Sequence, residues 1–353
     1  MSAGAGRTDP VAVGFVGLGH NGLAHLRAHL EGGQSRVVAL CDRRPERLAE
    51  AAALVPEART YGDDTFFDDA ELEAVSIHTG DDDHRDPFVR AVESGRHVLV
   101  EKPLANSEED VAAMVAAADA ADPGLKIQVG YILRFNPVFK AVHGLARAGN
   151  LGQVYYLEGD YVHNLLYQAG QTDPATGRNW YLEREIPLVG GGSHPLDLLR
   201  WIGGAEVVRV SAYGSHVAFP GMHCDDCQVA LFQFDNGAVA KVAALYAPRT
   251  GMAPFYNLRV YGTMGTVERD QVALAASPED VHPEFRPVEA DRVGGHPYDP
   301  EIADWLAAIA RDRPPRTALW DGANSTVATL VAARALREQR ELEVPVYRPR
   351  KVE

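Results

Sequence analysis

The stretch that most limits the fold of this chain runs from residue 11 to residue 22. Val11-Ala12-Val13-Gly14-Phe15-Val16 is an apolar, β-branched run of the length of a buried strand. It passes without a spacer into Gly17-Leu18-Gly19-His20-Asn21-Gly22, and a helical pattern follows over 21–31. A strand, three glycines at G-x-G-x-x-G spacing and a helix make a dinucleotide-binding turn. The first glycine allows the tight turn, the second lets the backbone approach a pyrophosphate, and the third lets the helix pack close to the strand. The N–H groups of the first helical turn then face the phosphate charge. A second strand over 36–41 ends at Asp42, about 20 residues after the last glycine, where a carboxylate can accept both ribose hydroxyls. An acid at that place repels a 2′-phosphate, so NAD is expected. Arg43 and Arg44 follow it and leave NADP open, because arginine pairs with a 2′-phosphate. The candidate cofactor contacts here are Gly17, Gly19, His20, Asn21, Gly22, Asp42 and Arg43.

Strand and helix go on alternating to about residue 130. Strands are expected over 74–79, 97–101 and 126–131. A helix opens at Pro45, where a missing N–H costs nothing; another covers 85–94 and stops at Gly95; a third covers 107–122 behind a Ser107-x-x-Asp110 capping box. The connections suit crossovers, so residues 11–130 read as a Rossmann-type, doubly wound parallel sheet (α/β). After about 150 the strands follow one another instead, over 154–162, 206–217, 227–246 and 257–270, with an Asn236-Gly237 hairpin turn inside the third. One helix interrupts over 194–203, and two helices close the chain within 300–340. Residues 131–345 therefore read as an α+β domain with a large, open-faced, mostly antiparallel sheet. It is expected to bind substrate and to carry the interface of a homodimer or homotetramer, since an uncovered sheet face normally marks a contact surface. Residues 1–10 read as a disordered arm.

Composition excludes several functions. A net charge of −15 over 353 residues argues against a nucleic-acid binder, which needs a basic face to neutralise phosphates. No run approaches the roughly 18 apolar residues of a membrane helix. Three cysteines make no disulfide framework and suit a reducing compartment, so a cytoplasmic location is expected. Cys224 and Cys227 have C-x-x-C spacing, but no second Cys/His pair stands at zinc spacing, and no metal is expected.

Further chemistry collects at Glu101-Lys102-Pro103. This segment follows the strand 97–101, and ligands bind at the carboxyl ends of strands in such sheets. A lysine there can hydrogen-bond a substrate oxygen and share its proton.

Several ordered segments resemble the Gfo/Idh/MocA family, named for glucose–fructose oxidoreductase, inositol dehydrogenase and a rhizopine catabolism protein. Ser76-Ile77-His78-Thr79-Gly80 through His84 is similar to the family's loop over the nicotinamide ribose. Gly95 through Leu104, with Glu101-Lys102-Pro103, is similar to its most diagnostic segment. Gly130-Tyr131-Ile132-Leu133-Arg134-Phe135-Asn136-Pro137 resembles its domain-linking stretch, and Gly192-Ser193-His194-Pro195-Leu196-Asp197 the helix with its catalytic histidine. The resemblance spans residues 11–340. It implies that Thr79, His84 and Glu101 join the cofactor contacts, that Lys102 polarises the substrate oxygen, and that His194 is the general base. It also exposes a departure. Inositol-dehydrogenase-like members carry an aspartate four residues before that histidine, and this chain has Gly190. Asp160 and Asp197 are the candidates to replace it. Tyr131, Arg134, Asp160, His163 and Asp197 are the candidate substrate contacts, with Asn136, Tyr161 and Trp180 nearby in sequence; amides, hydroxyls, imidazoles and aromatic faces suit a polyhydroxylated ring.

The reading is an NAD(P)-dependent dehydrogenase or reductase (a CH–OH oxidoreductase) acting on a secondary alcohol or ketone carbon of a sugar, amino sugar or cyclitol. The alternative is a non-catalytic, dinucleotide- and sugar-binding sensor of the same fold, against which the presence of both Lys102 and His194 speaks. Asp160, Asp225 and Asp226 motivate the amino-sugar option.

Overall fold

A computed structural model of the chain describes residues 9–165, 172, 177, 179–249, 256–291 and 297–349. Most of the expected N-terminal arm, residues 1–8, lies outside the described residues. The chain forms two compact units, one of residues 1–132, 295–323 and 348–353, the other of 133–294 and 324–347.

The first unit carries strands β1 (Val11–Val16), β2 (Ser35–Cys41), β3 (Arg59–Tyr61), β4 (Ala74–Ile77), β5 (His97–Val100) and β6 (Ile127–Val129). Their order is β3-β2-β1-β4-β5-β6 and every pairing is parallel. Both faces are covered, which is why the strands read as unbroken apolar runs. Helices α1 (His20–Gly32), α2 (Pro45–Ala52), α3 (Arg85–Glu93) and α4 (Glu108–Ala120) form the crossovers. Pro45 opens α2. The Ser107 Oγ accepts the Asp110 N–H at 3.0 Å, which is the cap expected from the sequence. The short β3 has no signal in the sequence: three residues, Arg-Thr-Tyr, two of them exposed, cannot show an alternation.

The second unit opens with α5 (Pro137–Arg147) and β7 (Val154–Val162), continues through α6 (Trp180–Glu183), α7 (Pro187–Gly190) and α8 (Ser193–Gly203), and then runs in strands. These are β8 (Val207–Ser215), β9 (Cys227–Phe234), β10 (Val239–Leu245), β11 (Arg259–Gly262), β12 (Gly265–Glu268), β13 (Gln271–Leu274) and β14 (Arg286–Pro287). With β15 (Leu342–Glu343) they make a nine-stranded sheet in the order β14-β13-β12-β11-β7-β10-β9-β8-β15. All its pairings are antiparallel except β7 with β10. Gly237, at φ +87°, makes the Asn-Gly turn between β9 and β10.

Of the closing helices, α9 (Tyr298–Ala310) differs from expectation. Sequence order assigned it to the second domain, but its contacts lie in the first unit. Trp305 and Leu306 pack into the same core as Leu23 and Leu26 of α1 and Val13 and Phe15 of β1. The Trp305 indole N–H finds the Lys126 carbonyl at 3.2 Å. An apolar stripe shows that a helix buries one face; it does not say against which sheet. Helix α10 (Leu319–Glu338) starts in the first unit and ends in the second. Among the described residues no helix is long and apolar enough to cross a membrane.

Candidate active site

In the first unit, the turn after β1 has the geometry its glycines require. Gly17 lies at φ +85°, and a Cβ there would meet the His78 carbonyl and the Thr79 nitrogen at 2.6 Å. A Cβ on Gly22 would meet the Gly17 oxygen at 2.0 Å, so α1 sits hard against the turn. At Gly19 the corresponding space is open to 4 Å. That opening is where a pyrophosphate needs backbone access, and α1 starts at the next residue with no acidic side chain in its first turn. His20 and Asn21 are exposed on that turn.

A cavity of about 400 Å³ runs from Gly17 and Gly19 past Asp42, Arg43 and Arg44 to Thr79 and Gly80. Asp42 does more than wait for a ribose. Its Oδ2 accepts the Leu18 N–H at 2.7 Å and its Oδ1 the Arg44 N–H at 2.8 Å. It thus ties the glycine turn to the end of β2, and each oxygen keeps lone-pair capacity for a hydroxyl. The open backbone at Gly19, the cavity and this acid fit a dinucleotide.

The Glu101-Lys102-Pro103 segment leaves β5 with a cis Lys102–Pro103 bond. Glu101 folds back so that its Oε2 accepts the Lys102 N–H at 3.1 Å. His84, fully buried, places Nδ1 3.0 Å from the Pro103 carbonyl and Nε2 3.3 Å from the Thr79 carbonyl. It clamps the two loops together instead of facing the cavity. Lys102 is half-buried.

Behind this segment lies a polar cluster that sequence reading missed. His25 Nε2 is 3.1 Å and His78 Nδ1 3.8 Å from Glu101 Oε1, and Ser76 Oγ is 2.7 Å from His78 Nε2. Burial, together with the charge of His25, pushes His78 down to about 4, so its imidazole is neutral. Glu101 is held well below the usual carboxylate range: burial opposes ionisation, but its contacts with His25 and His78 outweigh it. Deeper still, Glu301 has neither carboxylate oxygen hydrogen-bonded, and burial followed by repulsion from Glu101 and Asp304 raises it well above the usual range. The ligand atoms of His25, His78 and Glu101 lie within 4.8 Å of one another. The rings of His25 and His78 lie 4.2 Å apart and are tilted by 39°. Both ring nitrogens of His25 and Nδ1 of His78 are buried without a hydrogen-bond partner. The signal was present in the sequence only as one histidine within α1 and one directly after β4.

In the second unit, His194 is buried in the first turn of α8. The ring of Tyr161 stacks on it at 6.3 Å, and Tyr256 stands edge-on at 6.0 Å. The Tyr161 hydroxyl is 2.9 Å from His163 Nδ1. So His163, Tyr161 and His194 lie together. The glycines before His194 are not there for a special backbone conformation. Their backbone is ordinary right-handed helix, with Gly191 at φ −83° and Gly192 at φ −67°. They provide room: a Cβ on Gly191 would meet the Tyr161 ring at 2.4 Å, and one on Gly192 the Leu188 carbonyl at 2.7 Å.

Other candidates are placed elsewhere. Asp160 stands on β7 two residues from Glu158, while Gly159 between them faces Pro195 and Leu199 of α8. Alternation along the strand puts Asp160 on the sheet face away from α8. There it accepts from Lys241 Nζ at 2.9 Å, the Ala243 N–H at 3.0 Å and Asn257 Nδ2 at 3.1 Å. Asp197, at 0% exposure, is bound by Arg134, itself 2% exposed. Neither acid is the replacement at Gly190 that the sequence suggested. Tyr131 is fully buried in the first unit, and Trp180 is 37% exposed. Asp226 accepts three backbone N–H groups, from Val217, Ala218 and Phe219, so neither it nor Asp160 is offered to an amine. Cys224 and Cys227 are free thiols, and burial raises both, Cys224 to about 12, which leaves little thiolate for metal or redox chemistry.

Comparison with known proteins accords with this geometry. Residues 11–131 match the model of the oxidoreductase family with an NAD-binding Rossmann fold, and residues 139–268 that of the GFO/IDH/MocA C-terminal domain. An inositol 2-dehydrogenase of Saccharopolyspora erythraea is 28% identical over 330 residues, covering 90% of each chain. A D-apiose dehydrogenase of Rhizobium rhizogenes is 27% identical over 73% of this chain and 72% of its own. Among solved structures, a levoglucosan dehydrogenase in complex with NADH shares the fold with a TM-score of 0.82 at 24% identity, over 96% of this chain and 100% of that one.

Proposed function

This chain belongs to the Gfo/Idh/MocA family of NAD-binding oxidoreductases, and from that premise we propose that it oxidises a secondary alcohol of a sugar or cyclitol, or reduces the corresponding ketone. The observation that carries this is the setting of His194. A buried imidazole stands among the Tyr161 and Tyr256 rings, with the polar pair Tyr161–His163 beside it. Aromatic faces for ring C–H surface and hydroxyl and imidazole tips for ring hydroxyls suit a polyol. The relatives named for inositol and apiose point to the same substrate class.

Bound NAD supplies the hydride acceptor. In this reading Asp42 holds the adenosine ribose hydroxyls, and the N–H groups at the start of α1 hold the pyrophosphate. Lys102 donates a hydrogen bond to the substrate oxygen and stabilises the negative charge that develops there. His194 takes the hydroxyl proton and returns it in the reverse direction. Glu101, ionised and fixed by His25, holds the backbone at Lys102 through its own hydrogen bond.

The second unit is also proposed to self-associate. On the sheet face away from α8, Tyr213, Leu231 and Val239 are 78%, 50% and 41% exposed and lie diagonally across β8, β9 and β10. The same face carries charged residues over β7, β10 and β11, so it is less apolar than the sequence suggested.

The test is NADH formation from NAD⁺ with a panel of cyclitols and aldoses. The wild type should turn over at least one of them. K102A and H194A should each lose about 100-fold or more in kcat while still quenching NADH fluorescence. A wild type inactive on the whole panel, or a K102A enzyme with full turnover, would overturn the reading.

A further inference from the structure

Position 190 is empty of a side chain, yet the space beside it is filled by a carboxylate from elsewhere in the chain. A Cβ built on Gly190 would lie 1.9 Å from Oε1, 2.5 Å from Cδ and 2.6 Å from Oε2 of Glu185. All three carboxyl-end atoms of Glu185 therefore surround the place where a residue-190 side chain would begin. Glu185 is 5% exposed. Its Oε1 accepts a short hydrogen bond from the Tyr246 hydroxyl. Its backbone is pinned too, since the Glu185 carbonyl lies 2.9 Å from His223 Nε2.

This carboxylate occupies the side-chain space of a position four residues before His194. Helices α7 and α8 are joined by the turn Gly191-Gly192, with Gly191 hydrogen-bonded to Pro187 and Leu196 to Gly192. Position 190 ends α7, and His194 lies in the first turn of α8 with its N–H on the Gly191 carbonyl at 3.3 Å. Tyr161 links them from the side: it stacks on His194, stands 5.9 Å from the Tyr246 ring, and is raised by burial and by the negative charge of Glu185. A glycine at 190 is then a requirement, because any larger residue would displace the Glu185 carboxylate.

We propose that Glu185 is the carboxylate that serves His194 in this protein: it reaches from the turn before α7 into the space left by Gly190 and stabilises the imidazolium formed when His194 takes the alcohol proton. This rests on the dehydrogenase reading above. Glu185 is thus a positioning residue, acting through the histidine, and the function usually placed at residue 190 has moved five residues along the chain.

The test is a cycle of variants assayed on the polyol that the wild type oxidises, each checked for folding by its melting curve and by NADH fluorescence quenching. E185A should lower kcat/KM about 100-fold, and G190D, which forces two carboxylates into one space, about 10-fold or more. In E185A/G190D the new aspartate occupies the vacated space, and kcat/KM should recover at least 10-fold over E185A. E185Q, which keeps shape and loses charge, should move the acidic limb of the kcat/KM profile to lower pH, because the imidazolium is no longer stabilised. A double variant no faster than E185A, or an E185Q profile superimposable on the wild type, overturns the proposal even if the enzyme is a polyol dehydrogenase. A wild type that oxidises no polyol overturns the dehydrogenase reading and this proposal with it, and is a distinct result.

Discussion

Arg134 and Asp197 meet in a two-point ion pair: Nε and Nη2 of the guanidinium each donate at 2.7 Å to the two carboxylate oxygens. The pair is closed on its other sides. Ser325 donates to Asp197 Oδ1 at 2.8 Å, and the Arg134 guanidinium lies over the Trp201 ring at 5.7 Å. Two residues that sequence reading placed against a substrate are thus bonded to each other.

That arrangement predicts a structural phenotype. Removing one partner of a buried pair costs about 3–5 kcal/mol; Arg200 Nη1, 3.8 Å from Asp197 Oδ1, softens the loss of Arg134. D197A should lower the unfolding free energy read from urea titrations by that amount and R134A by less, and the double variant should lose less than the sum of the two. If R134A unfolds like the wild type and instead raises KM several-fold, the arginine belongs to the substrate.

Asp42 predicts the opposite balance. Its two backbone hydrogen bonds are to Leu18 and Arg44 at the rim of the cavity. D42A should weaken NADH binding about 10- to 100-fold, by loss of the ribose acceptor and loosening of the glycine turn. The preference for NAD⁺ over NADP⁺ should shrink or reverse, because Arg43 and Arg44 remain. Fluorescence titrations with NADH and NADPH decide it, and an unchanged affinity ratio would count against Asp42 as the discriminating residue.

These two outcomes show what a sequence makes legible. Strand, glycines and Asp42 were readable because each is needed at a fixed offset by local backbone geometry. So were the parallel order of the first sheet and the antiparallel run after residue 150, which follow from connection length and alternation. Arg134, Asp197 and Asp160 were misplaced because their roles depend on partners 63 or more positions away, Asp197 for Arg134 and Lys241 for Asp160. Alternation could have assigned Asp160 to the outer face, had the face covered by α8 been known. Glu185 was invisible for a related reason: nothing in a sequence says that a carboxylate five residues upstream fills the space of a glycine.

Acid sensitivity should come from histidines that the sequence does not mark. Burial lowers His29 to about 3 and His78 to about 4, in each case assisted by the charge of His25. Below pH 6.5 the unfolded chain binds protons that these two native imidazoles refuse, so stability falls as pH drops from about 6.5 toward 4. Each histidine contributes about 1.4 kcal/mol per pH unit in that window. Urea midpoints measured from pH 7 to pH 4.5 should decline, and H78N should flatten the decline by its share. A midpoint that stays level to pH 4.5 would mean that the imidazoles charge inside the folded protein.

Glu301 works in the other direction and gives the sharpest stability test. It is fully buried at the start of α9, its carboxylate has no hydrogen-bond partner, and it is raised well above the usual range. The native protein therefore keeps a proton that the unfolded chain releases above about pH 4.5. Stability is lost as pH rises from there toward the folded value, at about 1.4 kcal/mol per pH unit. Glutamine is nearly isosteric and cannot ionise. E301Q should match the wild type near pH 4.5 and exceed it progressively toward pH 8, with the Gln128–Glu301 backbone hydrogen bond preserved. Melting temperatures of the two proteins across that range check the sign. A constant gap between them would show that residue 301 does not titrate with folding, and an E301Q protein that grows less stable as pH rises would show that the native carboxylate is ionised and holds a partner of its own.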